Sequence, residues 1–237
     1  MSYASRYIAI CDILGFKKYV QDNPLQDVVA SFSKLLDKAK KLSEHERHTV
    51  STQDGYKLSI DSIPFIVFSD TILMWVEAEC DPDSWLNIPN FFDSLGALVA
   101  VSITCGLPLR VGIAYGECYI NPSEGKYLGQ PIVNAYLTEE AQDWIGGACH
   151  SSCLAGPYFE AIQEKLCLVV PYIVPTKPEV RVGELQYALE WVSWAAPSAD
   201  ISLRHMVNCT YDDRIRRKYA NALNFYHVVR PPKCLIT

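Results

Sequence analysis

Two apolar runs, each ending in an aspartate, constrain this chain more than any other feature: Tyr7-Ile8-Ala9-Ile10-Cys11-Asp12 and Phe65-Ile66-Val67-Phe68-Ser69-Asp70. Runs of this length and composition read as strands, so each carboxylate stands at a strand end, where it loses much of its hydration. A divalent cation held by both would offset that loss, and oxygen-rich ligation suits magnesium or manganese. Gly15, three residues past Asp12, lets the backbone approach a ligand, with the amides of 13–16 aimed at phosphate oxygens. Paired carboxylates beside a glycine turn point to nucleotide chemistry.

The first strand, expected over 6–14, is apolar enough to lie at the centre of a sheet. Asn23-Pro24 supplies an N-cap and a first helical residue for a helix burying Val28, Phe32, Leu35, Leu36, Ala39 and Leu42. After a polar, loop-like 45–55, the runs 63–68 and 71–76 form a hairpin with Asp70 at its tip. A second helix is expected over about 82–104, including Trp85, kinked or divided at Pro89 and stopped by Gly106. Residues 107–120 read as a strand pair around Gly116, and 130–144 as a third helix. Beyond 148 come a strand at 149–153, a short helix at 157–164, strands at 166–170 and 180–189 across a proline-rich connector, and a helix at 212–229. The order strand, helix, two strands, helix, strand is ferredoxin-like: an α+β fold, antiparallel-rich, with helices on one face. We expect a single domain over 1–237, with a core of about 6–170 and a C-terminal extension of about 171–237.

Composition narrows the partners. At 49% hydrophobic and 20% charged the 237 residues can bury a full core, and the net charge of -6 argues against nucleic acid or an anionic membrane as partner. Nine cysteines, an odd number scattered through apolar runs, fit reduced thiols in a cytoplasmic protein. The first residues lead straight into a strand pattern rather than a leader, and 95–113 is too interrupted to span a membrane. Cys149, His150 and Cys153 have the residue types of a zinc site without a second ligand pair. The cluster Arg214 to Lys218, flanked by Asp212 and Asp213, reads as a solvated face or an intramolecular salt-bridge layer rather than a phosphate contact. Trp191 and Trp194 are expected in the core or in a dimer interface.

Four motifs in order resemble the class III nucleotidyl cyclases: Asp12-Ile13-Leu14-Gly15-Phe16, the hairpin Asp70, Arg110-Val111-Gly112-Ile113 followed by Gly116, and Gly129-Gln130-Pro131-Ile132-Val133-Asn134. The resemblance spans roughly 6–148 and implies conversion of a nucleoside triphosphate to a 3′,5′-cyclic monophosphate and pyrophosphate. It implies that Asp12, the Ile13 carbonyl and Asp70 hold two Mn2+ or Mg2+ ions. Arg110 would then hold the triphosphate, and Gly15 and Phe16 would line the nucleotide site. Asn134 would contact the ribose from the other subunit of a head-to-tail homodimer with sites at its interface.

The departures bear on the base. Where purine cyclases carry a lysine and an aspartate that read adenine, this chain has Ile66 and Tyr127. Where an arginine stabilises the transition state it has Thr138, so that cation is missing or comes from elsewhere, with Arg204, Arg214, Arg216 and Arg217 as candidates. Tyr7 to Phe16, Phe68 to Asp70 and Asn134 to Tyr136 together look most like the bacterial Pycsar pyrimidine cyclases. That resemblance implies cyclic UMP or cyclic CMP, UTP being the favoured substrate, with Tyr127 or Tyr56 against the pyrimidine. It also implies a role in antiphage defence, where the messenger activates a cell-killing effector. The alternatives are a purine cyclase with unusual base contacts and a nucleotide-binding module without activity.

Overall fold

The structure, a computed structural model, describes residues 2–43, 48–51, 57–60, 62–78, 86–180 and 183–229. In chain order its elements begin with β1 (Ser2–Ile13), α1 (Phe16–Asp22), α2 (Leu25–Ser43), β2 (His48–Ser51), β3 (Lys57–Ile60), β4 (Phe65–Phe68) and β5 (Thr71–Glu77). Next come α3 (Asn87–Thr104), β6 (Leu109–Asn121), β7 (Lys126–Leu128), α4 (Gln130–Ala141) and β8 (Gly146–Cys149). The chain continues with α5 (Phe159–Glu164), β9 (Val169–Pro171), β10 (Tyr187–Leu189), α6 (Ser198–Cys209) and α7 (Asp213–Val229).

The main sheet has the order β4-β5-β1-β6-β8-β10-β9, with β7 paired to β6, and β2 and β3 form a separate ribbon. All pairings are antiparallel except β6 with β8. This is the expected α+β, antiparallel-rich architecture. β1 alternates cleanly: Tyr7, Ala9, Cys11 and Ile13 enter the larger core, packed by Phe91, Phe92 and Leu95 of α3, while Ile8 and Ile10 face Ala135 of α4. Helices therefore cover both faces, not one, because β1 and β6 are apolar on both sides and each needs a cover.

Several local readings differ. Asn23 does not cap α2; its side-chain amide donates to the Tyr19 carbonyl (2.8 Å) and so closes α1, a short helix that the periodicity of the sequence did not separate. Pro89 lies in the first turn of α3, where no intrahelical N–H is required, so the helix needs no kink there. Residues 109–121 are one continuous strand rather than a pair, since Gly116 stays extended against the Pro131 ring. The strand expected at 149–153 ends at Cys149 and gives way to a 3-10 turn from Ser151 to Ala155. Polar 48–51 and 57–60 are strands because they pair with each other. Ala39, Leu42 and Trp85 lie outside the residues whose side chains are described.

The C-terminal residues are built into the same core. β10 joins β8 to β9, and Phe225 of α7 packs edge-on to Trp144 (centroids 4.8 Å apart) and beside Trp191 (5.8 Å). Trp191 is thus a core residue, whereas the half-exposed Trp194 donates its indole N–H to Asp93 (2.9 Å). No helix among the described residues is long and apolar enough to cross a membrane.

Candidate active site

Asp12 and Asp70 meet because their strands are neighbours with tips at one edge. In register, Asp12 lies between Arg110 of β6 and Thr71 of β5, the residue after Asp70. The Ile13 N–H donates to the Asp70 carbonyl (3.3 Å) and pins the two tips together. Asp12 follows Ile8 and Ile10 in the strand alternation, so its side chain faces the side covered by α4, as does that of Arg110. Ser69 holds the tight β4–β5 turn at φ 57°, a left-handed conformation that costs a non-glycine residue about 1 kcal/mol and that positions Asp70.

Arg110 is the hub of the site. Its Nη2 donates to Asp12 Oδ2 (2.9 Å) and stands 2.6 Å from Glu139 Oε1, and the arginine is only 8% exposed and the glutamate 4%. Its Nε has no hydrogen-bond partner among the described residues. Burial raises the Asp12 carboxyl above the ordinary range; Arg110 opposes the rise and nearby Asp70 adds to it. Burial pushes Glu139 up to about 7, again against the pull of Arg110. Gly112 makes this packing possible, since a Cβ there would lie 2.0 Å from the Ala135 carbonyl oxygen and 2.5 Å from the Glu139 nitrogen. The Arg-Val-Gly segment of β6 therefore lets α4 settle close enough for Glu139 to reach Arg110.

The donor set fits a hard divalent cation completed by substrate. Asp12 is 24% exposed at its side chain and lies close enough to Asp70 for that carboxylate to raise it, and the Ile13 carbonyl follows Asp12 directly in the chain. Among the described residues no group of three or more His, Cys, Asp or Glu is arranged to hold a metal. Two carboxylates are what Mg2+-type sites use when substrate phosphates supply the remaining ligands.

The remaining expected residues fall into two groups. Gly15 adopts φ 77° at the turn into α1, next to the carboxylates, whereas Phe16 points away and packs on Phe32 (5.7 Å). Within one chain Tyr127 is remote from Asp12 along the sheet, whereas Asn134 stands on α4 next to Ala135, which packs over Gly112. α4 runs antiparallel to β6, so Asn134 stands more than a turn before Glu139, its carbonyl oxygen accepting from Gln130 (2.9 Å). Tyr127 pairs with Ile120, ten residues along β6 from Arg110, roughly 33 Å at strand rise. It packs on Trp75 (5.9 Å), and both Ile66 and Tyr127 border the smaller core on the α4 side of the sheet. Tyr56 lies outside the described residues. Thr138 is fully buried with its hydroxyl unpartnered, so the helix turns this position inward. The four candidate arginines are each taken: Arg204 by Asp200 (3.0 Å), Arg214 by Asp212 (3.6 Å), Arg216 by Asp213 and Arg217 by Asp143 (2.5 Å).

Sequence reasoning missed Glu139, Lys177 and Lys218. Glu139 had a signal: it falls four residues after Ala135 and eight after Pro131, a charge on the buried stripe of α4. Lys218 had one too, since Ile215, Lys218, Ala222 and Phe225 share one helical face, and Ala222 and Phe225 are buried. The arginines of 214–217 are exposed and in intramolecular ion pairs, as expected of a solvated, salt-bridged face, and only Ile215 and Lys218 turn inward. Lys177 had none, because the connector around it has no period.

No family model and no characterised sequence matches the chain. Solved structures do. The catalytic core of a rhodopsin-guanylyl cyclase with converted specificity, in complex with ATPalphaS, superposes with a TM-score of 0.53 at 14% identity, covering 78% of this chain and 94% of that one. The adenylyl cyclase CyaB from P. aeruginosa gives 0.52 at 13%, covering 79% and 94%. The guanylate cyclase domain of RhGC from Catenaria anguillulae, in complex with GTP, gives 0.51 at 11%, covering 79% and 96%. At these identities the likeness is one of architecture, and the architecture of this chain is that of the class III nucleotidyl cyclase catalytic domain.

Proposed function

We propose that the protein is a nucleotide cyclase that acts on a pyrimidine triphosphate, UTP ahead of CTP. The observation that carries the enzymatic reading is the junction of Asp12, Asp70 and Arg110 at one sheet edge, two adjoining carboxylates and a buried guanidinium on a cyclase fold. In the reaction the ribose 3′-oxygen bonds to the α-phosphorus while the bond to the bridging oxygen breaks. Pyrophosphate leaves with that electron pair, and the 3′-hydroxyl proton passes to solvent. Asp12, Asp70 and the Ile13 carbonyl would hold two Mn2+ or Mg2+ ions, which when bound activate the attacking oxygen and neutralise the polyphosphate. Arg110 exchanges its contact with Asp12 for phosphate oxygens, a planar fork suited to that partner, while Glu139 keeps it oriented. The turn at Gly15 offers its amides to the phosphates.

The separation of Tyr127 from Asp12 along β6 favours a head-to-tail homodimer, in which each copy lends the other its base contact and, through Asn134 of α4, its ribose contact. Exposed Leu128, Val133, Tyr136 and Leu137 around those two residues support the same pairing. Ile66 and Tyr127 leave adenine without its hydrogen-bonding partners, which supports a pyrimidine. The product is a second messenger, and antiphage signalling to an effector through cyclic UMP or cyclic CMP is the biological role we infer from the resemblance of the motifs to Pycsar cyclases.

The test is incubation of the purified protein with manganese and each ribonucleoside triphosphate in turn, with products identified by mass spectrometry. Cyclic UMP or cyclic CMP is expected, and Asp70→Asn is expected to abolish it while the circular dichroism spectrum is retained. Cyclic AMP or cyclic GMP would overturn the pyrimidine assignment, and product from the Asp70 variant would overturn the site.

A further inference from the structure

A cavity of about 350 Å3 opens beside the Gly15 turn, where α1, the turn between α3 and β6 and the corner between α6 and α7 converge. Leu14, Leu107, Pro108 and Ile215 supply its apolar lining, and Tyr211 and Tyr219 add two aromatic rings. A Cβ built on Gly15 or on Gly106, both of which line it, meets nothing within 4 Å, so the space over both turns is open. A volume of this size with apolar walls and a few polar groups suits a small molecule.

Several polar side chains around it are spent. Tyr19 donates its hydroxyl to Ser31 (2.9 Å), Asn23 its amide to the Tyr19 carbonyl (2.8 Å), and Asp212 accepts the Arg214 N–H (2.9 Å) and pairs with that residue's guanidinium. Lys18 and Asp22, one helical turn apart on α1, are paired neither with each other nor with any other group among the described residues, and the hydroxyl of the half-buried Tyr219 has no partner there either. Tyr211 is 99% exposed, an aromatic ring that takes no part in the core. An ammonium, a carboxylate and a hydroxyl among apolar and aromatic walls suit a flat heteroaromatic ligand with a single negative charge for Lys18 and an N–H or O–H donor for Asp22. A triphosphate would bring several negative charges against Asp22 and Asp212 with Lys18 alone to answer them. A cyclic mononucleotide brings one such charge, a flat base and a ribose hydroxyl.

We propose that this cavity is an effector site for a cyclic mononucleotide, the product class of the reaction, with the phosphate on Lys18, the base against Tyr211 and a donor of the base or ribose on Asp22. The proposal rests on the nucleotide cyclase reading above. The cavity adjoins both segments that lead into the active site: Leu14, two residues past Asp12, donates its N–H to the carbonyl of Pro108, two residues before Arg110 (2.9 Å). A ligand there bears on the placement of Asp12 and Arg110 without touching either, so accumulated product alters the rate of its own formation.

The test is equilibrium dialysis of the full chain in EDTA against cyclic UMP, cyclic CMP and UTP, comparing wild type with Lys18→Met, Tyr211→Ala and Asp70→Asn. At least one cyclic nucleotide is expected to bind saturably and tenfold or more tighter than UTP. Lys18→Met and Tyr211→Ala are each expected to weaken it fivefold or more, and Asp70→Asn to leave it within twofold. Absence of saturable binding, UTP bound as tightly as the cyclic nucleotides, or affinity unchanged in Lys18→Met and Tyr211→Ala would overturn the proposal, and binding lost in Asp70→Asn would overturn it by assigning the ligand to the active site. In a cyclase assay, added product is expected to change the initial rate of wild type but not that of Tyr211→Ala, whose rate without added product matches wild type; the same response in both would overturn the effector role. If no triphosphate is cyclised yet cyclic UMP binds in dependence on Lys18 and Tyr211, the cyclase reading fails and the cavity stands as a nucleotide site. If product forms and both variants bind it as wild type does, the effector site alone fails.

Discussion

Replacing Glu139 with glutamine separates the two forces that act on the hub of the site. Glutamate ordinarily titrates at 4.5, and burial holds Glu139 at about 7 in spite of Arg110 only 2.6 Å away. Between those values the folded chain keeps a proton that the unfolded chain releases. Stability therefore falls as pH rises through this window, and the full loss is present above about pH 7. At roughly 1.4 kcal/mol for each pH interval of one, the ionised glutamate lowers stability by about 3 kcal/mol relative to its neutral form. Glutamine keeps the neutral shape and an oxygen for Arg110, so it recovers the larger part of that sum. In metal-free buffer without nucleotide, urea unfolding of both proteins from pH 4.5 to pH 8 reads the difference. We expect near equality at pH 4.5 and the variant ahead by about 2 kcal/mol at pH 8. A difference that does not change with pH, or a wild type that is the more stable protein at pH 8, would refute the reasoning and mean that attraction to Arg110 outweighs burial.

Two further expectations concern α4. Gly112→Ala places a methyl 2.0 Å from the Ala135 carbonyl oxygen, so α4 must lift from β6; we expect a loss of about 3 kcal/mol in urea unfolding, together with loss of turnover as Glu139 leaves Arg110. Thr138→Val removes a fully buried hydroxyl that has no partner and should raise stability by about 1 kcal/mol in the same assay; a drop of that size would show that the hydroxyl is engaged.

The folded chain separates the two stretches to which the proposed function assigns the base and the metals. β6 is 13 residues long, with Arg110 near one end beside Asp12 and Ile120 near the other beside Tyr127. A rigid central strand of that length cannot bring its two ends to one small ligand. A second copy running the other way would place the Tyr127 end of one chain against the Asp12 end of its partner, which is the physical ground for the dimer in the proposed function.

The sequence by itself determined those features that depend on local pattern. The apolar runs before Asp12 and Asp70 dictated strands with carboxylates at their ends, the spacing from Val28 to Leu36 dictated an amphipathic helix, and the helix over 213–229 was legible from its period. These hold because burial of an apolar face selects one period whatever the partner is. What only tertiary structure decided depends on which faces meet. The ribbon at 48–51 and 57–60 has no apolar run to announce it and exists through pairing alone. The engagement of Asp12 by Arg110 and of Arg110 by Glu139 joins residues 98 and 29 positions apart, fixed by strand register and by the close approach of α4 at Gly112. Lys177 reaches the carboxyl end of α4 through its loop, and α7 is clamped to Asp143 just beyond it. Electrostatic contacts of this kind fall off with distance in space and carry no period along the chain, so Asp12, Asp70 and Arg110 were legible in the sequence and the engagement of Arg110 by Glu139 was not.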